Sequence, residues 1–166
     1  MQETTITLHA IPGHFATSHS HINFYIDMTS LKTRANEAQE VAKSLAGDYV
    51  NSTVVDTIVC MDGTEVVGAY LAQEFEKRGF RNTNLHDTIY VVTPEYNANN
   101  QLIFRDNTIP AIKGKNVILL LATTTTGLTV RRSLECVQYY GGTVHGISSI
   151  FSIVKKVGGM EVHSVF

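Results

Sequence analysis

Six consecutive apolar residues, Val117–Ala122 (VILLLA), lie between a Gly114-Lys115-Asn116 turn and a threonine-rich loop. A strand that is apolar at every position has no face to give to water, so it must be covered on both sides. Thr53–Met61 (TVVDTIVCM) is rich in β-branched residues and reads as a second buried strand. Thr88–Thr93, stopped by Pro94, Thr143–Phe151 and the short Val162–Phe166 read as further strands. Between them the apolar spacing predicts helices over about Lys32–Ala46, Val66–Phe75 with Gly79 as its terminator, and Leu128–Tyr140 closed by Gly141-Gly142. Strands separated by helices predict an α/β fold with a mainly parallel sheet flanked by helices on both faces. Ligands of such sheets sit at the carboxyl ends of the strands. The segments that matter are therefore Met61–Thr64, Pro94–Gln101 and Thr123–Thr129. Glu95–Gln101 is polar and Asn-rich and reads as a loop, with Leu102–Phe104 as a short strand or hairpin arm.

The chain has 166 residues, 43% of them hydrophobic and 17% charged. That length fits one domain of ordinary size, and the composition excludes a disordered chain or a charge-rich coiled coil. A net charge of -2 gives no basic field for nucleic acid. No apolar run approaches the ~18 residues of a membrane span, and MQETTITLHA lacks the basic and apolar regions of a secretory signal. Two distant cysteines, Cys60 and Cys136, make neither a disulfide framework nor a zinc cluster. A reduced cytoplasmic protein is expected, built as one domain over 1–166: a small N-terminal hood segment to about residue 30, then the α/β core.

The strand at Val117–Ala122 runs through Thr123, Thr124, Thr125, Thr126, Gly127, Leu128 and Thr129 into a helix. Backbone N–H groups at a helix start are unpaired and carry the positive end of the helix dipole. Threonine hydroxyls add donors, and a glycine lets backbone approach an anion closely. The segment therefore reads as a phosphate cradle. A Thr-rich N-cap of an ordinary βα unit would show the same pattern. Neither the Walker ending nor the dinucleotide fingerprint is present.

Thr125-Thr126-Gly127-Leu128-Thr129 resembles the end of the phosphoribosyl-pyrophosphate loop of type I phosphoribosyltransferases. Ser18–Asp27 (SHSHINFYID) is similar to the N-terminal motif of orotate phosphoribosyltransferases at Ser18, Phe24, Tyr25 and Asp27. A simple amphipathic strand is the plainer reading of that segment. Met61, Asp62, Gly63 and Thr64 fall where the family carries its pyrophosphate loop. The resemblance implies a pentosyltransferase of nucleotide metabolism that takes phosphoribosyl pyrophosphate and a pyrimidine-like base. It implies phosphate at Thr123–Thr129, pyrophosphate at Met61–Thr64 and a base stacked on the paired aromatics Phe24 and Tyr25. It also implies a homodimer, to which seven Phe and seven Tyr lend modest support.

Three departures bear on chemistry. The family's acidic pair, which holds the ribose hydroxyls, is Leu121-Ala122 here; acids restored at a strand end are expected to be partly exposed and tolerated. The basic position of the N-terminal motif is Ser20. Pro94–Gln101 holds no Lys or Arg, and Arg105 lies beyond it. All three remove charge used on pyrophosphate or ribose, which leaves the catalytic residues unassigned. A non-catalytic paralogue that binds a nucleoside monophosphate, a phosphate or the donor is the alternative. Asp56, Asp62 and Glu65 form one strand-to-loop acidic cluster; magnesium is the one cofactor in view, with Asp62 or Glu65 as carboxylates for it or for ribose, and a solvated turn with a helix N-terminal charge is the plain reading. His14, His19 and His21 have alternate-residue spacing without a scaffold for a metal. Cys136 reads as a packed core thiol and Arg131-Arg132 as surface charge.

Overall fold

A computed structural model describes residues 6–16 and 21–166. The sequence folds into an N-terminal hairpin, β1 (His9–Ala16) and β2 (His21–Asp27), followed by α1 (Thr29–Thr33) and α2 (Ala35–Ala46). Then come β3 (Thr57–Cys60), α3 (Glu65–Lys77), β4 (Tyr90–Val92), a small hairpin of β5 (Glu95–Tyr96) and β6 (Leu102–Ile103), and β7 (Asn116–Thr124). The chain ends with α4 (Leu128–Tyr139), β8 (Thr143–Ser152), β9 (Lys156–Val157) and β10 (Met160–Ser164). The central sheet has the order β4-β3-β7-β8-β10-β9; every pair is parallel except β9 against β10.

The unbroken apolar run does what its composition requires. Ile118, Leu120 and Ala122 of β7 enter one buried cluster with Val41 and Leu45 of α2 and Val67, Leu71 and Phe75 of α3. Val117, Leu119 and Leu121 enter a second cluster with Val130, Cys136 and Val137 of α4. Successive strand residues point to opposite faces, so each helical layer receives every second side chain. The mainly parallel, doubly covered sheet is as the sequence predicts.

Several boundaries differ from the sequence reading. The helix expected from Lys32 is two helices, interrupted at Arg34, whose backbone is extended (φ -83, ψ 119). The buried strand begins at Thr57; before it Val54 forms an isolated bridge with Arg81, and the Asp56 backbone bonds to Asn116 and Tyr90. The expected loop Glu95–Gln101 is the β5–β6 hairpin. Asn97 closes its tip by accepting the N–H groups of Asn99 and Gln101, each at 2.9 Å, a local bond that asparagine supplies in turns. Both long helices after β3 end as expected at glycine: Phe80 N–H reaches Phe75 O, and Gly142 N–H reaches Val137 O.

Candidate phosphate cradle at the carboxyl end of the sheet

The cradle starts later than the sequence suggests. Thr123 and Thr124 are the last residues of β7, paired with Phe151 and Ser152 of β8. Thr124 is buried, and its hydroxyl lies 3.2 Å from that of Ser149. Thr123, Thr125 and Thr126 are exposed. Gly127 caps α4 with a left-handed backbone, φ +77, and a Cβ there would meet Val157 at 2.8 Å. Only glycine satisfies both the dihedral and the contact, so the residue that aims the first turn of α4 is set by β9 as well as by the loop.

No side chain caps Gly127. Thr126 Oγ1 accepts the Leu128 N–H at 3.3 Å, which occupies one first-turn donor and leaves the helix start facing solvent. A polar concavity of about 40 Å³ lies here, lined by residues from Leu121 to Val130. That is several times the roughly 10–15 Å³ a single water needs, and suits one small anion. A larger concavity, about 450 Å³, lies elsewhere, between the β5–β6 hairpin and α4.

The neighbouring turn after β3 is built by two buried residues and presents two exposed ones. Met61 packs into the α4-side core. The Thr64 hydroxyl donates to Met61 O at 2.7 Å and sits 3.2 Å from Leu120 O. Asp62 and Gly63 form the exposed tip, both left-handed at φ 57 and φ 74. Lys32 of α1 donates its ammonium to Asp62 O at 2.9 Å. The Asp62 side chain reaches solvent at one edge while protein packs around the rest. That burial pushes its carboxyl above the usual range, against the opposing pull of the Ala122 backbone N–H and the Lys32 charge.

Other expected residues are scattered. Ser18, His19 and Ser20 lie outside the described residues. Phe24 and Tyr25 are exposed on β2, and as adjacent strand residues they face opposite sides of the hairpin. They do not make the single stacking platform expected of them; Tyr25 instead lies 5.7 Å from Phe15, a partner the motif did not suggest. Asp27 accepts the Thr29 N–H at 2.9 Å and so turns β2 into α1. Leu121 is 0% and Ala122 5% exposed, against the partial exposure expected at a strand end. Arg105 pairs with Glu95 at 2.8 Å and is held on its own hairpin. Glu65, first in α3, accepts the Thr93 hydroxyl. His14 and His21 stack at 5.2 Å, and among the described residues no three metal-ligating side chains gather.

No family model and no curated protein matches this sequence. Solved structures do match its fold. Adenine phosphoribosyltransferase from Thermoanaerobacter pseudethanolicus is 18% identical with a TM-score of 0.67, covering 95% of this chain and 94% of its own. Orotate phosphoribosyltransferase from Aeropyrum pernix is 19% identical with a TM-score of 0.61, covering 94% and 86%. The orotate enzyme of Mycobacterium tuberculosis H37Rv, in complex with inorganic phosphate, is 15% identical with a TM-score of 0.58, covering 94% and 86%. The chain has the type I phosphoribosyltransferase fold, and adenine and orotate enzymes share it alike.

Proposed function

We propose that this protein binds the 5′-phosphate of a phosphoribosyl or nucleotide ligand in the cradle Thr125–Thr129. The observation that carries this reading is the start of α4, where only the Leu128 N–H meets a side chain, with Gly127 held left-handed under Val157 and threonines exposed around a polar concavity. Donors fixed in position before the ligand arrives cost no reorganisation when it binds. The inorganic phosphate in the similar M. tuberculosis structure supports the kind of ligand.

A ligand-binding role without phosphoribosyl transfer is the second reading, and one observation favours it. Leu121 and Ala122 are both buried, so β7 offers no carboxylate to a cationic sugar transition state. Magnesium would arrive with a diphosphate ligand rather than rest in a protein-built cage, since Asp62 is the lone carboxylate of the turn beside the cradle. We place the protein in the cytoplasm as a homodimer: two free, buried thiols suit a reducing compartment, and the apolar N-terminal hairpin suits a partner copy. No helix among the described residues is long and apolar enough to cross a membrane.

The test is a thermal-shift series with inorganic phosphate, nucleoside 5′-monophosphates and phosphoribosyl pyrophosphate with magnesium. A ligand at 100 times its Kd adds about 2.7 kcal/mol, or roughly 5–10 °C for a chain this long. Phosphate-bearing ligands should shift the wild type and not Gly127→Val. No shift with any of them rejects the cradle. A pyrophosphate-release assay with orotate and adenine separates transfer from binding alone.

A further inference from the structure

The strands of the N-terminal hairpin do not pair in one register. Pro12 stands opposite Phe24, but Phe15 stands opposite Ile22, so Gly13 and His14 together face Asn23 alone. Two residues against one make a β-bulge, which shifts the register by one beyond it. Continued in the register of Pro12, His14 would stand opposite Ile22, on the face away from His21. With the bulge, Ala16 stands opposite His21. His14, two residues before Ala16, then shares that face as the diagonal neighbour of His21. The two imidazoles accordingly lie 5.2 Å apart, centre to centre, and 22° from parallel. Gly13 permits the bulge, since a Cβ there would meet the Phe15 ring at 2.8 Å. Both histidines are exposed.

Imidazole nitrogens suit borderline divalent transition ions, whereas magnesium and calcium are better served by carboxylates and water. The sole acid of the two strands, Asp27, stands opposite His9 at the other end of the hairpin. Two imidazoles on one tetrahedral ion, with each nitrogen about 2.0–2.1 Å from the metal, hold their ring centres roughly 5 Å apart, which is the spacing already present. The rings turn their nitrogens toward one ion by rotation about χ2, a soft torsion in histidine. We propose that His14 and His21 form a surface site for a borderline divalent transition ion such as zinc, with water in its remaining positions. The ion ties β1 to β2 across the bulge. This site is independent of the phosphate cradle.

Calorimetry with zinc chloride alone, in a buffer free of phosphate and chelators, should find one ion per chain on the wild type. His14→Ala and His21→Ala should each weaken that affinity by at least about tenfold, since loss of even an outer partner of a metal ligand costs about 10–100-fold. His86→Ala removes an exposed histidine outside the hairpin and should leave the affinity unchanged. Excess magnesium should not displace the zinc. No zinc uptake by the wild type, undiminished affinity in either hairpin variant, an equal loss in His86→Ala, or displacement by magnesium overturns the site. Should an alanine variant not fold, NMR of the wild type decides: the imidazole signals of His14 and His21 must shift first as zinc is added, and earlier movement of any other histidine overturns the proposal.

Discussion

Asp56 shows how one residue can be structural where an acidic cluster suggested chemistry. It is 0% exposed, and its carboxylate accepts the Thr83 N–H, the Thr83 hydroxyl at 2.7 Å, and the Asn116 N–H and side-chain amide at 2.8 and 2.7 Å. Burial alone would raise this carboxyl; the four donors outweigh it and hold it below the usual range. Its contribution to stability is present above the unfolded pKa and is lost as pH falls through the folded one. Asp56→Ala strands four donors at roughly 1–3 kcal/mol each, so urea denaturation should show a loss of about 4 kcal/mol or more. The thiols act at the other end of the pH scale. Burial pushes Cys60 up to about 12 and Cys136 up to about 11, from 9.0. The unfolded chain ionises first, so their contribution is full below pH ~9 and falls as pH rises toward the folded values. Melting temperature should drop across that range, and neither thiol should alkylate in the folded protein at pH ~8. Rapid labelling of either one would contradict its burial.

At the scale of elements, β7 carries both the fold and the limit on chemistry. Its alternating side chains feed the α2–α3 core and the α4 core, so a carboxylate at either of its last buried positions enters apolar surroundings. Leu121→Glu with Ala122→Asp should therefore destabilise the protein by roughly 3–5 kcal/mol for each uncompensated charge, rather than strengthen donor binding. Guanidinium denaturation of the two single variants checks this, and a near-wild-type midpoint for Leu121→Glu would refute the packing. The β5–β6 hairpin is likewise self-contained: Glu95 and Arg105 neutralise each other across it. That exposed pair is worth little to stability.

On the scale of the whole molecule, the N-terminal hairpin stands out from the core. Ile6, Leu8 and Ile26 anchor its base in the α2–α3 cluster, while Ile11, Phe24 and Tyr25 remain 46%, 57% and 47% exposed. Exposed aromatic and aliphatic groups on both faces of this hairpin suit an interface between copies. Light scattering at micromolar concentration should return about twice the 18.3 kDa of one chain. A mass near 18.3 kDa, or a dimer unchanged by Phe24→Ser with Ile11→Ser, would remove the hairpin from the interface.

The layered α/β fold was legible along the chain because the burial pattern is written in residue order. An unbroken apolar run such as Val117–Ala122 has one physical solution, a strand covered on both faces. Gly79, Gly127 and Gly141 mark helix ends through local backbone geometry, and a Thr-Gly turn after a buried strand marks a helix start. The partners of the Asp56 carboxylate and the burial of Leu121 and Ala122 depended on contacts with residues far away in sequence. Phe24 and Tyr25 are neighbours along the chain, yet the strand sends them to opposite faces. Asp56 read as part of a solvated turn, and the fold instead brought Thr83 and Asn116 to its carboxylate. Sequence spacing fixes which faces are apolar through the 2.0 and 3.6 periods; which polar groups meet is decided by strand register and long-range packing, which only the folded chain supplies.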